Sequence, residues 1–240
     1  MSTLHKNTIH GAKGAYLPFL KNYYHEIGTK SPSFDIIIEI GSRDCADAIE
    51  LFHYTKKPIY SFECNPSALD ICKQNLSVNN IDKESIRLID MAVSNTNGFI
   101  DFYCTVDTPN PPSENDINLI EINNKQANIG TSSMFEFTDH WKQVHQSKKI
   151  KVKSTKLSTF LKDQNIQQKY MLCMDVQGAE YSVLQSLDSQ FSNCELIIME
   201  ISNNQYKIED PYKIDDILKL LPMFNVVKKT SQDLMLVRKQ

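Results

Sequence analysis

Residues 34–45 read Phe34-Asp-Ile-Ile-Ile-Glu-Ile-Gly-Ser-Arg-Asp-Cys45, an almost wholly apolar, β-branched run that meets a glycine and then turns polar. Apolar residues at consecutive rather than alternate positions are what a strand covered on both faces needs, and such strands lie in the middle of parallel sheets. Outward from this run, similar short segments recur at Ile59–Glu63, Ser85–Asp90, Lys169–Met174 and Cys194–Glu200, and these four close on or just before an acidic residue. Between them, Asp44–Tyr54, Pro66–Val78 and Gly178–Leu187 carry helical periodicity, with Pro66 suited to a first helical turn. Each strand feeds a helix, which predicts an α/β fold with a doubly wound, mostly parallel sheet. The stretch Phe224–Lys239, FNVVKKTSQDLMLVRK, holds two alternating segments around Thr-Ser-Gln-Asp, so the sheet is expected to finish in a C-terminal antiparallel hairpin.

The 240 residues, 41% of them apolar, suffice for one large domain. Residues 1–33 read as an N-terminal helical extension and 34–240 as the domain, interrupted by a loop or lid insertion at 105–148. Within it, Thr105–Thr131 is rich in Pro, Asn and Asp and longer than an ordinary connection, so a mobile segment is expected there. Lys plus Arg number 26 against 29 Asp plus Glu, a net charge of −3 without clustered cations, which argues against nucleic acid as partner. Six scattered cysteines with no C-x-x-C pair fit neither a zinc site nor a disulfide framework, and reduced thiols in a cytoplasmic protein are the simpler expectation. No stretch resembles a signal peptide or approaches the roughly 20 apolar residues of a membrane span, so neither secretion nor membrane insertion is expected.

Ligands of open parallel sheets bind outside the carboxyl ends of the strands. After the first strand, Glu39-Ile-Gly41-Ser42-Arg43 offers one glycine for a tight turn, but Arg43 and Ala46 stand where the phosphate-cradling G-x-G-x-x-G needs glycine, which disfavours NAD or FAD. After the second, Glu63 is placed to accept both hydroxyl hydrogens of a ribose, or is simply an acid flanking a helix. Asp90-Met91-Ala92-Val93 could sandwich a purine. After the fourth, Asp175-Val-Gln177-Gly178-Ala-Glu180 concentrates two carboxylates and an amide around a glycine; helix capping would explain one of them but not the set. Glu200, ending the fifth strand, suits a substrate contact and a solvated strand end equally.

In order and wording these segments resemble the FkbM family of class I methyltransferases, which use S-adenosylmethionine. Glu39-Ile-Gly41-Ser-Arg-Asp-Cys45 is similar to its D-x-G-x-x-x-G motif, Phe62-Glu63-Cys64-Asn65-Pro66 to F-E-P-N-P, and Met91-Ala92-Val93-Ser94 with Asn97-Gly98 to its A-V-S segment. Asn128–Ser133 resembles N-x-G-x-S-S, and Asp175–Glu180 resembles D-V-E-G-A-E. Cys45 replaces the second glycine of the first motif, and Gln177 replaces a glutamate. The resemblance implies a Rossmann-like sheet with one added antiparallel strand. It also implies Glu39, Gly41, Ser42 and Arg43 along the methionine moiety, Glu63 on the ribose, Cys64, Met91 and Ala92 around the adenine, and Asp175 near the sulfonium and the acceptor. A cofactor with a cationic sulfur and no phosphate suits a mouth rimmed by carboxylates.

Methyl transfer is an in-line displacement, so catalysis is chiefly alignment and exclusion of water. For an alcohol acceptor, Asp175 is the first candidate to take the proton. His140 is the next, with His145 beside it, although either could be a plain surface histidine. Trp141 could stack on a sugar or anchor the lid, and Gln177, Glu180 and Glu200 are the further substrate-side candidates. Asp175 and Glu180 could hold a divalent ion, but two carboxylates are too few to predict a metal. The expected reaction is O-methyl transfer to a hydroxyl of a sugar or glycan precursor, an acceptor class implied by the resemblance alone. Methylation of a non-sugar metabolite, a noncatalytic cofactor-fold binding module and, last, a dehydrogenase are the alternatives.

Overall fold

The computed structural model describes residues 15–28, 33–106, 129–143, 145–201, 204–209 and 211–239. The helices are Tyr16–Glu26 (α1), Ala46–Thr55 (α2), Pro66–Val78 (α3), Leu157–Asp163 (α4), Glu180–Gln185 (α5) and Ile214–Leu220 (α6). The strands are Ile36–Ile40 (β1), Ile59–Glu63 (β2), Ile86–Asp90 (β3), Ala92–Val93 (β4), Gly98–Val106 (β5), Gln146–Thr155 (β6), Tyr170–Met174 (β7), Cys194–Glu200 (β8), Phe224–Lys229 (β9) and Asp233–Arg238 (β10). Seven strands form the main sheet in the order β3-β2-β1-β7-β8-β10-β9. The first five run parallel; β10 runs antiparallel to both β8 and β9. This is the Rossmann-like sheet with a terminal antiparallel hairpin, and the strand after the Thr230–Asp233 turn is the one inserted beside β8.

The opening run explains why β1 is central. Ile36, Ile38 and Ile40 pack on one face with Leu157, Phe160 and Leu172, while Ile37 packs on the other with Leu20, Tyr24 and Ile49. Both faces are covered, and burying each isoleucine contributes about 1.5–3 kcal/mol. At α3, Pro66 occupies the first turn and Asn65 Oδ1 accepts from Ser67 N at 3.1 Å, a side-chain cap of the kind that stabilises a helix start.

A second, three-stranded sheet, β4-β6-β5, was not expected from the sequence. Gly98–Val106 pairs antiparallel with Gln146–Ser154 along its whole length, and Asp101 bridges Lys149 and Lys151 at 2.6 Å each. The lysines of Gln146–Thr155 dilute the apolar alternation that would have marked a strand. The expected insertion at 105–148 therefore starts inside β5 and ends inside β6. Most of the expected mobile loop or lid, residues 107–128, lies outside the described residues, as do residues 1–14 and 29–32 of the expected N-terminal extension, whose helix is α1. Among the described residues, no helix is long and apolar enough to cross a membrane. All six cysteines are free.

Candidate cofactor and acceptor site

At the carboxyl end of the parallel strands is a cavity of about 200 Å³. Its floor is the junction of β1 and β7: Asp175 N donates to Ile40 O at 3.1 Å, and Gly41 N and Ser42 N donate to Phe62 O at 3.0 Å each. Gly41 has φ 84°, and a Cβ there would lie 2.0 Å from the Asp175 carbonyl oxygen, so the turn exists because the residue has no side chain. Cys45, standing where the resembled motif has a second glycine, takes the same left-handed region at φ 60° with its side chain fully buried. That conformation costs a non-glycine residue roughly 1–2 kcal/mol. Asp44 Oδ1 accepts from Ala46 N at 3.1 Å, giving one donor of the α2 start a partner.

Gly41, Ser42, Arg43, Glu63, Cys64, Met91, Ala92, Asp175, Gln177 and Glu200 all line this cavity. The structure thus brings ten of the fourteen candidate residues to one place. Four lie elsewhere. Glu39 is buried beside the lining turn: its Oε2 accepts from Ser42 Oγ at 2.7 Å and Ser61 Oγ at 2.6 Å, and its Oε1 has no partner. Glu180 is fully buried at the start of α5, where Oε1 accepts from Val176 N and Gly178 N and Oε2 from the Tyr212 hydroxyl. It braces the 175–180 turn rather than facing the cavity, a natural place for a carboxylate because helix N-terminal N–H groups are unsatisfied. His140 is exposed and meets Trp141 edge-on. Trp141 stacks on His145 at 5.6 Å, which stacks on Phe137 at 5.3 Å, which stacks on Tyr206 at 5.2 Å. The tryptophan anchors the far end of this aromatic stack, and neither it nor His140 lines the cavity. Burial lowers the pKa of His145.

Glu63 carries a geometric limit. Its Oε1 accepts from Cys64 N and Asn65 N, and Oε2 from Arg43 N, all at 2.8 Å. Three of about four acceptor positions are filled, leaving room for one ribose hydroxyl in this conformation rather than two. Glu63→Ala is expected to weaken S-adenosylhomocysteine binding about 10–100-fold, through the lost ribose contact and three orphaned N–H groups. Titration calorimetry checks this, and unchanged affinity would remove Glu63 from the site. Beside Glu63, Cys64, Ala92, Ile100, Phe102 and Met134 supply an apolar wall built largely by the second sheet, suited to a flat aromatic base. Burial holds the Cys64 thiol well above its usual pKa, so it is a neutral wall residue.

Several lining residues carry no motif. Ala15 and Tyr16 cover the cavity from α1, and Asp47 of α2 faces them, its Oδ1 accepting from Tyr16 N at 3.1 Å. Asp233 joins Glu200 because β10 is antiparallel: its first residue pairs with the last residue of β8. That neighbour could have been found by aligning the hairpin against Cys194–Glu200. Tyr16 and Asp47 had no comparable signal.

The electrostatics are those of an acidic, dry cavity. Burial, then repulsion by Asp47, pushes Glu39 up to about 8; burial pushes Asp47 up to about 7. Asp175 is held well above the usual carboxylate range by burial and by the nearby Glu200 and Glu180, against the opposing effects of the Gln177 amide and Arg43. A net-cationic ligand fits such a cavity, which Asp47, Glu63, Asp175 and Glu200 line. S-adenosylmethionine meets that requirement and brings no phosphate for the missing glycine cradle. Among the described residues, no group of three or more His, Cys, Asp or Glu could hold a metal ion.

Residues 35–228 match the Methyltransferase FkbM domain family. The chain is 26% identical over 196 residues to the 2-O-methyltransferase NoeI of Sinorhizobium fredii, a match covering 80% of this chain and 73% of that protein. Among solved structures, the magnesium protoporphyrin IX methyltransferase of Synechocystis PCC 6803 with bound cofactor superposes with a TM-score of 0.48 at 9% identity, over 100% of this chain and 86% of the other. The ribosomal protein L11 methylase of Lactobacillus delbrueckii gives 0.46 at 11% identity, over 95% and 81%.

Proposed function

The chain belongs to the FkbM methyltransferase family, whose chemistry is S-adenosylmethionine-dependent methyl transfer, and from that premise we propose an O-methyltransferase acting on a hydroxyl of a sugar or glycan precursor. The observation that carries this reading is the placement of Asp175 at the cavity floor, with Gln177 and Glu200 beside it and Glu63 at the ribose end. The oxygen acceptor is supported by the 2-O-methyltransferase relative, and the sugar class by the family resemblance.

When bound, the cofactor supplies a methyl group on a cationic sulfur. Glu63 takes a ribose hydroxyl, and the wall of Cys64, Met91 and Ala92 holds the adenine. Asp175 would take the proton of the acceptor hydroxyl. The apolar walls and Tyr16 keep water from competing as acceptor. Incubation with a panel of mono- and oligosaccharides, following methylated product by mass spectrometry, tests the acceptor class. Methylation confined to non-sugar alcohols would overturn it.

Proton linkage gives an independent check. Carboxylates with raised pKa are protonated in the ligand-free cavity, and a cation favours their ionised form, so binding expels protons below the ligand-free pKa. With Asp47, which lines the cavity, near 7, affinity for S-adenosylmethionine is expected to rise about 3–10-fold from pH 6 to pH 8 and then level off. Uncharged at sulfur, S-adenosylhomocysteine should show less of this. Calorimetry in buffers of different ionisation heat measures the protons released, and their absence would rule out the charge pairing.

A further inference from the structure

Tyr206 lies on a short segment outside every motif, yet its hydroxyl reaches into the 175–180 turn, 2.9 Å from Gln177 Oε1 and 2.9 Å from Thr131 O. The Gln177 Nε2 donates to Asp175 Oδ1 at 2.5 Å, and the Gln177 carbonyl accepts from Ser133 Oγ at 2.7 Å. Gln177 is itself in the left-handed region at φ 52°, so its side chain is aimed by an unusual backbone as well as by its partners. The Tyr206 ring is held by Phe137, through the stack described above and an antiparallel bridge between the two residues.

These contacts set a direction. An amide has one donor end and one acceptor end, and the single phenol hydrogen is shared between Gln177 Oε1 and Thr131 O. With the Gln177 oxygen facing the Tyr206 hydroxyl, its NH2 faces Asp175; the reverse would press an amide oxygen on a carboxylate oxygen. A glutamate at 177 could not donate to Asp175 when ionised. We infer that Tyr206 is a positioning residue that locks the Gln177 amide with its donor end on Asp175 Oδ1, favouring the carboxylate form of Asp175 and leaving its other oxygen for the acceptor hydroxyl. The inference rests on the reading of Asp175 as the group beside the sulfonium and the acceptor.

The groups facing Asp175 are Glu200 from β8, Glu180 from α5, Arg43 from the turn after β1, Tyr16 from α1 and Tyr206 itself. Two of the five are carboxylates that oppose its ionisation and only Arg43 is cationic. The donated amide hydrogen bond therefore matters more than it would beside a balanced set of charges.

The test needs no acceptor. Dissociation constants for S-adenosylmethionine and S-adenosylhomocysteine are measured by calorimetry from pH 6 to pH 9 for the parent, Tyr206→Phe and Gln177→Glu. The two ligands differ by the sulfonium charge, so the change in their ratio between parent and variant reports the charge on Asp175. Tyr206→Phe keeps the stacked ring, and at pH 7 it is expected to lose about 3–10-fold of the preference for the cation, the size of one charge-assisted hydrogen bond partly lost. The preference should return at pH 9, while S-adenosylhomocysteine affinity stays within about twofold. Gln177→Glu should move the same dependence to higher pH, because two adjacent carboxylates share a proton. An unaltered preference in Tyr206→Phe, or an equal loss for both ligands at every pH, would overturn the positioning role. A parent protein with no preference at any pH would instead bring down the placement of Asp175 beside the sulfonium, and the inference with it.

Discussion

Asp175→Asn is expected to lower turnover on a hydroxyl acceptor about 10²–10⁴-fold, the range by which a positioned base accelerates proton transfer. Affinity for S-adenosylhomocysteine should stay within about threefold, since asparagine is nearly isosteric and this ligand lacks the sulfonium. The physical reason for the split is position. Asp175 directly follows β7 with its backbone N–H bound to Ile40, so the carboxyl is carried at the end of the sheet, at the floor of the cavity and within reach of Gln177. Its pKa is raised by burial and by Glu200 and Glu180, so the parent rate should climb as pH rises through that value. Bound cation moves this limb to lower pH by favouring the ionised form. Methyl transfer followed as S-adenosylhomocysteine formed, across a pH series, checks both points; near-parental turnover in the variant would remove Asp175 as base.

Gly41→Ala should be severely damaging for a single added methyl group. The added Cβ would sit 2.0 Å from the Asp175 carbonyl oxygen and 3.0 Å from its carbon, and φ 84° is itself unfavourable for alanine. Backbone, not a flexible side chain, is in the way, so β1 and β7 must separate at the cavity floor. An expected loss of about 3–5 kcal/mol in stability would accompany a more than about 100-fold loss of S-adenosylhomocysteine affinity. Thermal denaturation and calorimetry read the two separately. Binding at parental strength would mean that the floor is softer than its hydrogen bonds imply.

What could be read from the chain divides along a physical line. Most of the parallel strands and α3 were visible because each buries a short continuous run or carries its own cap, as Ile36–Ile40 and Asn65-Pro66 do. The strand-end residues of the site followed, since a parallel sheet puts consecutive carboxyl ends together. The second sheet was hidden because its long strand β6 is partly solvent-exposed and lysine-rich, so the apolar code is diluted there. Glu39 and Glu180 looked like ligand contacts from their motifs. Each lies one step behind the cavity instead, holding Ser42 and Ser61 in one case and the Val176–Gly178 turn in the other. Trp141 and His140 drew notice as rare or titratable side chains, yet the stack that begins at Trp141 is what leads to Tyr206, a residue no local pattern singled out. Tertiary contacts from distant segments leave no periodic trace in either partner.

The antiparallel insertion of β10 beside β8 has a consequence for the order in which the protein is made. Asp233 comes from the last strand in chain order, whereas Gly41 and Glu63 belong to the first two. A nascent chain leaving the ribosome could therefore build the turn around Gly41 long before the wall opposite Glu200 exists. Capture of the nucleoside ligand would then wait for β10, and the ligand would not template the early sheet.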